Sequence, residues 1–171
     1  MHPELQRCLT LIDEATAGLD EASAATRVDG RWSVAEIVEH LDRTYSGTVK
    51  GFERCLGAGV SRASAPTLKS RLRIFAVVTL GYFPTGIEAP AHVVPTGLVS
   101  LPELRQKVLA HLQALDGAAA ATEARLGKGR VMDHPILGPF TVAQWMRFHR
   151  IHTHHHQKQI LERRRHLESL A

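Results

Sequence analysis

The sequence predicts an all-α protein, a four-helix bundle with one additional helix, and three observations carry that prediction. Apolar residues recur at three- and four-residue spacing through five segments, and no segment of useful length alternates with the two-residue period of a strand. Ser33-Val34-Ala35-Glu36 and Ser100-Leu101-Pro102-Glu103 read as capping boxes, in which a side-chain hydroxyl and a carboxylate three residues later satisfy the free N–H groups of a helix start. The segments are joined by long connections, which permit parallel as well as antiparallel neighbours in a bundle.

The elements follow in order. Glu4 to about Ala25 carries Leu5, Cys8, Leu9, Leu11, Ile12 and Leu19 in a helical pattern. Val34 to Leu56 is the second helix, whose apolar arc is Val34, Ile37, Val38, Leu41, Tyr45, Phe52 and Leu56. Gly57 to Pro66 is a Gly/Ser/Ala-rich connection. Thr67 to Phe83 is expected to be a third helix ending near Pro84. Pro84, Pro90 and Pro95 make the stretch up to Val99 irregular, with a short extended piece at Ala91–Val94. Leu101 to about Leu126 is the fourth helix. Gly127 to Phe140 is punctuated by glycine and proline and reads as a loop, after which Thr141-Val142-Ala143-Gln144 caps a final helix. No internal repeat is present.

Composition narrows the classes. With 171 residues, 44% of them hydrophobic, the chain can bury a core without disulfides and reads as one domain over residues 1–171. Cys8 and Cys55 lie in predicted helices outside any CxxC pattern and read as buried free thiols. No basic-then-apolar signal peptide is evident, so a cytoplasmic location is expected. The apolar run Ile74–Phe83 falls short of the roughly 20 residues that a membrane helix needs, so no membrane association is expected. Net charge is +4 at 5% aromatic content, and Arg163-Arg164-Arg165 falls on late helical turns where cations complement the helix dipole. Nucleic-acid binding is therefore not expected. No Ser/His/Asp motif, P-loop or GxGxxG occurs.

The chemistry concentrates in Phe148–Ile160, which holds five of the eleven histidines. With about 100° per residue and His149 at zero, His152 falls at about 300° and His156 at about 340°, on one arc with Trp145, Val142, Ile160 and Leu167. These three histidines face inward, whereas His154 points away and His155 sits at the flank. Two neutral imidazoles one turn apart can chelate a single first-row metal ion, although a solvated polar face would produce a similar run. On the second helix His40 borders the apolar arc on a stripe with Thr44, Gly47 and Gly51, glycines that serve either close packing or open space beside the imidazole. Alone, His40 reads first as a hydrogen-bonded interface histidine, because one histidine on a helix is no motif. His92 reads as a surface or cleft-lining residue, His111 as a boundary residue, and Trp32 as an anchor ahead of the second helix.

Trp32-Ser33 followed by Glu39-His40-Leu41, together with the later His152-Thr153-His154-His155-His156-Gln157-Lys158-Gln159-Ile160, resembles the two motif blocks of the DinB-like (YfiT-like) superfamily of metalloenzymes. His134-Pro135-Ile136-Leu137-Gly138-Pro139-Phe140-Thr141 is similar to the lead-in to the last helix in one branch. The resemblance spans most of the chain and implies a DinB-like bundle in which consecutive helices are not all antiparallel. It implies His40, His152 and His156 as ligands of a divalent metal ion, with zinc or nickel expected ahead of manganese or iron, and His155 as a non-ligating neighbour. His149 and His134 are the candidate proton-accepting catalytic residues, each with a structural role as the alternative. The resemblance further implies a homodimer and a small-molecule substrate.

Three histidines with an open position suit a catalytic ion, because structural zinc closes its fourth position with protein. The expected activity is transfer to a low-molecular-weight thiol (a thiol S-transferase), which some branches of the family perform. A hydrolase using metal-activated water and a non-catalytic metal- or ligand-binding stress-response protein are the alternatives.

Overall fold

The computed structural model describes residues 1–83, 86 and 88–170. Its elements are α1 (Pro3–Thr16), α2 (Glu21–Ala25), α3 (Val34–Ala58), α4 (Leu68–Ile74), a π-helical continuation (Phe75–Thr79), a 3₁₀ turn (Ala91–Val93), α5 (Leu101–Leu126), β1 (Arg130–His134), β2 (Gly138–Thr141) and α6 (Val142–Leu170). The fold is all-α apart from the small hairpin β1–β2.

Four long helices form the bundle. Along α3 and α6, Phe52 meets Trp145, Thr48 meets His149, Tyr45 meets Thr153 and His40 meets His152, so these two run antiparallel. The pairs Asp42–His111 and Gly59–Arg125 show α3 and α5 running parallel, a geometry made possible by the long crossover between them. Likewise Glu4 pairs with Arg150 while Arg164 donates to the carbonyls of Ala15 and Ala17, so α1 and α6 are parallel. Arg164 therefore satisfies the exposed carbonyl end of α1 rather than its own helix. Leu5, Val38, Leu41, Tyr45, Leu112, Leu115, Met146 and Ile160 lie in the core between the helices.

The capping boxes at Ser33 and at Thr141–Gln144 form, and Ser100 caps α5 through Glu103 N–H. Four local expectations are corrected. The helix expected over Glu4–Ala25 breaks after Thr16, because Gly18 turns the chain at φ +73° and Asp20 caps a separate short helix by accepting from Ser23 N–H. Regular helix in the third segment ends at Ile74 and widens into the π turn, where Leu80 N–H reaches Phe75 O at 3.1 Å, and Gly81 at φ +70° ends it. Pro84 itself lies outside the described residues. The extended piece expected at Ala91–Val94 is a 3₁₀ turn that Pro90 opens, with Val93 N–H bonded to Pro90 O.

The fourth correction is the stretch Gly127–Phe140, which contains a hairpin. His134 pairs with Gly138 and Met132 with Phe140, and the His134 imidazole folds the tight turn by accepting at Nδ1 from the N–H groups of Ile136 and Leu137. Gly138 has two reasons to be glycine: its φ is +102°, and a Cβ there would stand 2.7 Å from the Cβ of Ser70. The hairpin therefore docks on the start of α4 and turns Met132 and His134 toward the gap between α3 and α6. Among the described residues no helix is long and apolar enough to cross a membrane.

Candidate metal centre

A cleft of about 1140 Å³ runs between α3 and α6. On α3 it extends from Ile37 to Arg54, about 25 Å at 1.5 Å per residue. His40, His152 and His156 lie in its wall, each less than a tenth exposed, and their ligand atoms fall within 4.8 Å of one another.

The hydrogen bonds determine which ring nitrogens face inward. His40 donates from Nδ1 to the carbonyl of Val93 at 2.9 Å, so its Nε2 carries a free lone pair. His156 bonds from Nδ1 to Gln159 Oε1 at 2.7 Å, and the Gln159 amide N–H donates in turn to His155 Nε2 at 3.2 Å. With the Gln159 oxygen facing His156, the His156 proton lies on Nδ1 and its Nε2 carries a free lone pair as well. Between these two lone pairs sits His152 Nε2, 3.0 Å from His156 Nε2 and 3.4 Å from His40 Nε2.

A proton cannot satisfy this arrangement. Placed on His152 Nε2 it serves one of the two facing lone pairs and leaves the other bare. Placed on His152 Nδ1, a buried atom with no partner among the described residues, it leaves three lone pairs converging. A cation satisfies all three, and two ligands about 2.0–2.1 Å from a tetrahedral ion stand roughly 3.3–3.4 Å apart, close to the observed separations. Burial pushes the His156 imidazole down to about 3 and holds those of His40 and His152 below the ordinary histidine range, so all three are neutral, the form that ligates. The cluster can therefore hold a metal ion. Its Nδ1 contacts to a carbonyl and an amide are the usual outer partners that orient metal-binding imidazoles.

Around the cluster, Trp32 lies 5.2 Å from the His40 ring and accepts at its carbonyl from Arg163 Nε, anchoring the chain ahead of α3. Glu39, beside His40, accepts from Thr96 N–H, Gly97 N–H and the Thr96 hydroxyl, so one helix turn fixes both the loop and the Val93 carbonyl that orients His40. Phe83 stacks on His155 at 4.7 Å and lies 5.4 Å from His152. Both readings of the glycine stripe are realised. A Cβ on Gly47 would meet nothing within 4 Å, whereas one on Gly51 would stand 2.5 Å from Met132 Sδ.

The remaining histidines separate by position. His154 is exposed and His155 is half-buried at the flank. His149 is fully buried in the cleft wall, 3.1 Å from Thr48 Oγ1, and burial pushes it down to about 3. His134 also lines the cleft. Burial lowers it to about 4, and its Nδ1 is occupied by the hairpin turn, so Nε2–H is what it offers. His92 is exposed at the cleft margin, and His111 pairs with Asp42 at 2.6 Å away from the cluster. Cys8 and Cys55 are buried and free, and burial pushes the Cys8 thiol up to about 11, which leaves it unreactive.

Sequence reasoning missed Val93, Thr48, Gln159 and Glu39. Gln159 was reachable, since it lies three residues after His156 on the same helix face. Val93 acts through its backbone from a distant loop and left no side-chain signal. Comparison with curated proteins and with solved structures gives no match. The family described as "Protein of unknown function (DUF1569)" matches residues 8–163, nearly the whole bundle with all three clustered histidines, and the chain belongs to that family.

Proposed function

We propose that this protein is a divalent-metal-dependent enzyme that transfers a group on a small molecule to a low-molecular-weight thiol. The observation carrying the metal dependence is the convergence of the His40, His152 and His156 Nε2 lone pairs in the wall of a cleft large enough for a small molecule. The thiol rests on the resemblance to the DinB-like superfamily in the two histidine blocks. Zinc and nickel, the ions expected from the resemblance, are both suited to imidazole ligands. A divalent ion held there supplies positive charge that favours the deprotonated form of a thiol.

The chain's own residues then have distinct tasks. Val93 and Gln159 hold His40 and His156 in the ligating tautomer. Phe83 and Phe148 form an apolar wall beside His152, which keeps water away from one side of the cluster. His149 and His134 act as hydrogen-bonding groups in the cleft, since each is held neutral far below pH 7 and His134 has no free acceptor nitrogen.

Calorimetry with 2-mercaptoethanol in buffers of different ionisation enthalpy tests this reading. Binding to the metal-loaded protein with release of a proton, and no binding to a His156→Ala variant, is the expected result. If the thiol neither binds nor changes turnover while an ester is hydrolysed by the metal-loaded form alone, the protein is a hydrolase. If neither occurs, it is a non-catalytic binding protein.

A further inference from the structure

We propose that Arg163 binds the oxyanion, a carboxylate or a phosphate, of a small molecule that occupies the cleft. The inference names a substrate class; it rests on the cleft being a small-molecule site and on neither the metal nor the thiol. Among the described residues the buried charged side chains other than histidine are Glu36, Glu39, Asp42 and Arg163. The three carboxylates have close partners: Arg27 makes two bonds to Glu36, Arg43 Nη2 lies 2.8 Å from Glu39, and His111 Nδ1 lies 2.6 Å from Asp42. Arg163, 7% exposed, has no such partner. Its Nε donates to Trp32 O at 3.3 Å, and the nearest described carboxylate oxygen, Glu162 Oε2, stands 3.6 Å from its Nη1, beyond hydrogen-bond distance. Glu162 is itself exposed, and its other oxygen is held by Arg31 at 3.1 Å. A buried charge without a close counter-charge is costly, so this guanidinium calls for an anion.

The guanidinium is reachable. Arg163 lines the cleft together with Trp32, His156 and Gln159. The side-chain atoms that are sealed from solvent without a partner are Trp145 Nε1, His149 Nδ1 and His152 Nδ1; the Arg163 Nη atoms also lack a hydrogen-bond partner among the described residues, but they are not sealed. Arg163 follows His156 by two turns on the same face of α6, a rise of about 10 Å, and helix side chains lean toward the N-terminus, here the direction of His156. Trp32, whose carbonyl takes the Nε–H, has its ring 5.2 Å from that of His40. An oxyanion on the Nη groups therefore leaves the rest of a small molecule to lie between Arg163 and the three-histidine cluster.

The charge of the cleft favours the same class. Among the described residues its cations other than histidine are Arg31, Arg43, Lys50, Arg54 and Arg163, against the carboxylates Glu88 and Asp133. Arg31 and Arg43 are paired with Glu162 and Glu39, and Lys50 and Arg54 are exposed at the far end, where water solvates them. Arg163 alone of the five is both buried and without a close counter-charge. With Nε occupied by Trp32, its planar fork still offers N–H groups on Nη1 and Nη2, which match two oxygens of a carboxylate or a phosphate. An uncharged ligand would leave the charge uncompensated.

Titration of the full-length, ¹⁵N-labelled, metal-free protein with benzoate, phenyl phosphate and benzamide, followed by NMR, tests the proposal. At least one of the two oxyanions is expected to shift the Trp32 indole and Arg163 Nε–H resonances saturably and to bind at least about tenfold more tightly than benzamide. The tighter of the two identifies the oxyanion as carboxylate or phosphate. Arg163→Gln should bring that oxyanion down to the level of benzamide, whereas Arg163→Lys, which keeps the charge and loses the bond to Trp32, should retain the preference. A variant carrying both Lys50→Gln and Arg54→Gln should bind as the wild type does. Benzamide binding as tightly as both oxyanions, a preference that survives Arg163→Gln, a preference lost in Arg163→Lys or in the Lys50/Arg54 variant, or no saturable shift with any probe would overturn the proposal. Because the protein is metal-free throughout, failure of the metal reading would not alter the result, whereas silence from all three probes would count against the cleft as a small-molecule site.

Discussion

His40 and Val93 are joined across 53 positions of sequence by one hydrogen bond, from the imidazole Nδ1 to the backbone carbonyl at 2.9 Å. The carbonyl is held in place by the neighbouring turn of the loop, which is tied to the helix carrying His40. Burial pushes the Glu39 carboxyl up, but bonds from Thr96, Gly97 and Arg43 outweigh it and hold the group ionised below its ordinary range.

Glu39→Ala should therefore reach the metal centre without touching it. Releasing Thr96 and Gly97 frees the Val93 carbonyl, and loss of such an orienting partner lowers metal affinity by about 10- to 100-fold. Competition titration against a chromophoric chelator measures this, with circular dichroism confirming a folded variant. Unchanged affinity would separate the loop from the site.

The metal-free protein should lose stability as pH falls. His149 and His134 are depressed to about 3 and about 4 by burial, against about 6.5 in the unfolded chain. Between those values the unfolded state binds protons that the folded state refuses, so this contribution is complete above pH 6.5 and is lost progressively below it. Each such histidine steepens the fall by about 1.4 kcal/mol per pH unit in that window. Urea unfolding in chelator at pH 7.5 and pH 5.0 should show the lower stability at pH 5.0, and equal stabilities would contradict the buried neutral assignment.

The glycine stripe on α3 gives opposing substitutions. Gly47→Ala places a methyl in open space and should stabilise the helix by roughly 0.5–1 kcal/mol. Gly51→Ala gains the same helix propensity but must displace the end of the Met132 side chain, so its net effect should fall below that of Gly47→Ala. Thermal unfolding of the two variants side by side measures the difference.

We propose self-association through the exposed face of α4 and its continuation, where Leu68, Leu72, Phe75, Leu80 and Tyr82 are each more than half exposed. The DinB-like resemblance motivates the dimer. Sedimentation should give twice the 18.8 kDa chain mass, and Leu72→Glu should return it to one. A wild-type monomer at high concentration would remove the proposal and leave the metal argument intact.

The features legible in the sequence were those written in local spacing. The boundaries of α3, α5 and α6 follow from caps and periodicity, and the inward arc of His152 and His156 follows from 100° per residue. The break at Gly18 was visible as a glycine, but the apolar pattern continued past it in Leu19. The hairpin was hidden because its strands are five and four residues long and contain Pro139, with little alternation to read. His40 meets the later histidines through the antiparallel pairing of α3 with α6, which no local spacing reports and which the sequence offered only as an implication of the DinB-like resemblance. The Val93 and Thr48 contacts depend on the same long-range packing.

Metal content of untagged protein, measured by mass spectrometry alongside three alanine variants, tests the central claim most directly. One first-row metal ion per chain is expected in the wild type and in His154→Ala, whose side chain is exposed, and none is expected at stoichiometric level in His152→Ala or His156→Ala. Equal loss in all three variants, or no stoichiometric metal in wild type after loading with zinc or nickel, would contradict the assignment of His40, His152 and His156 as a metal centre.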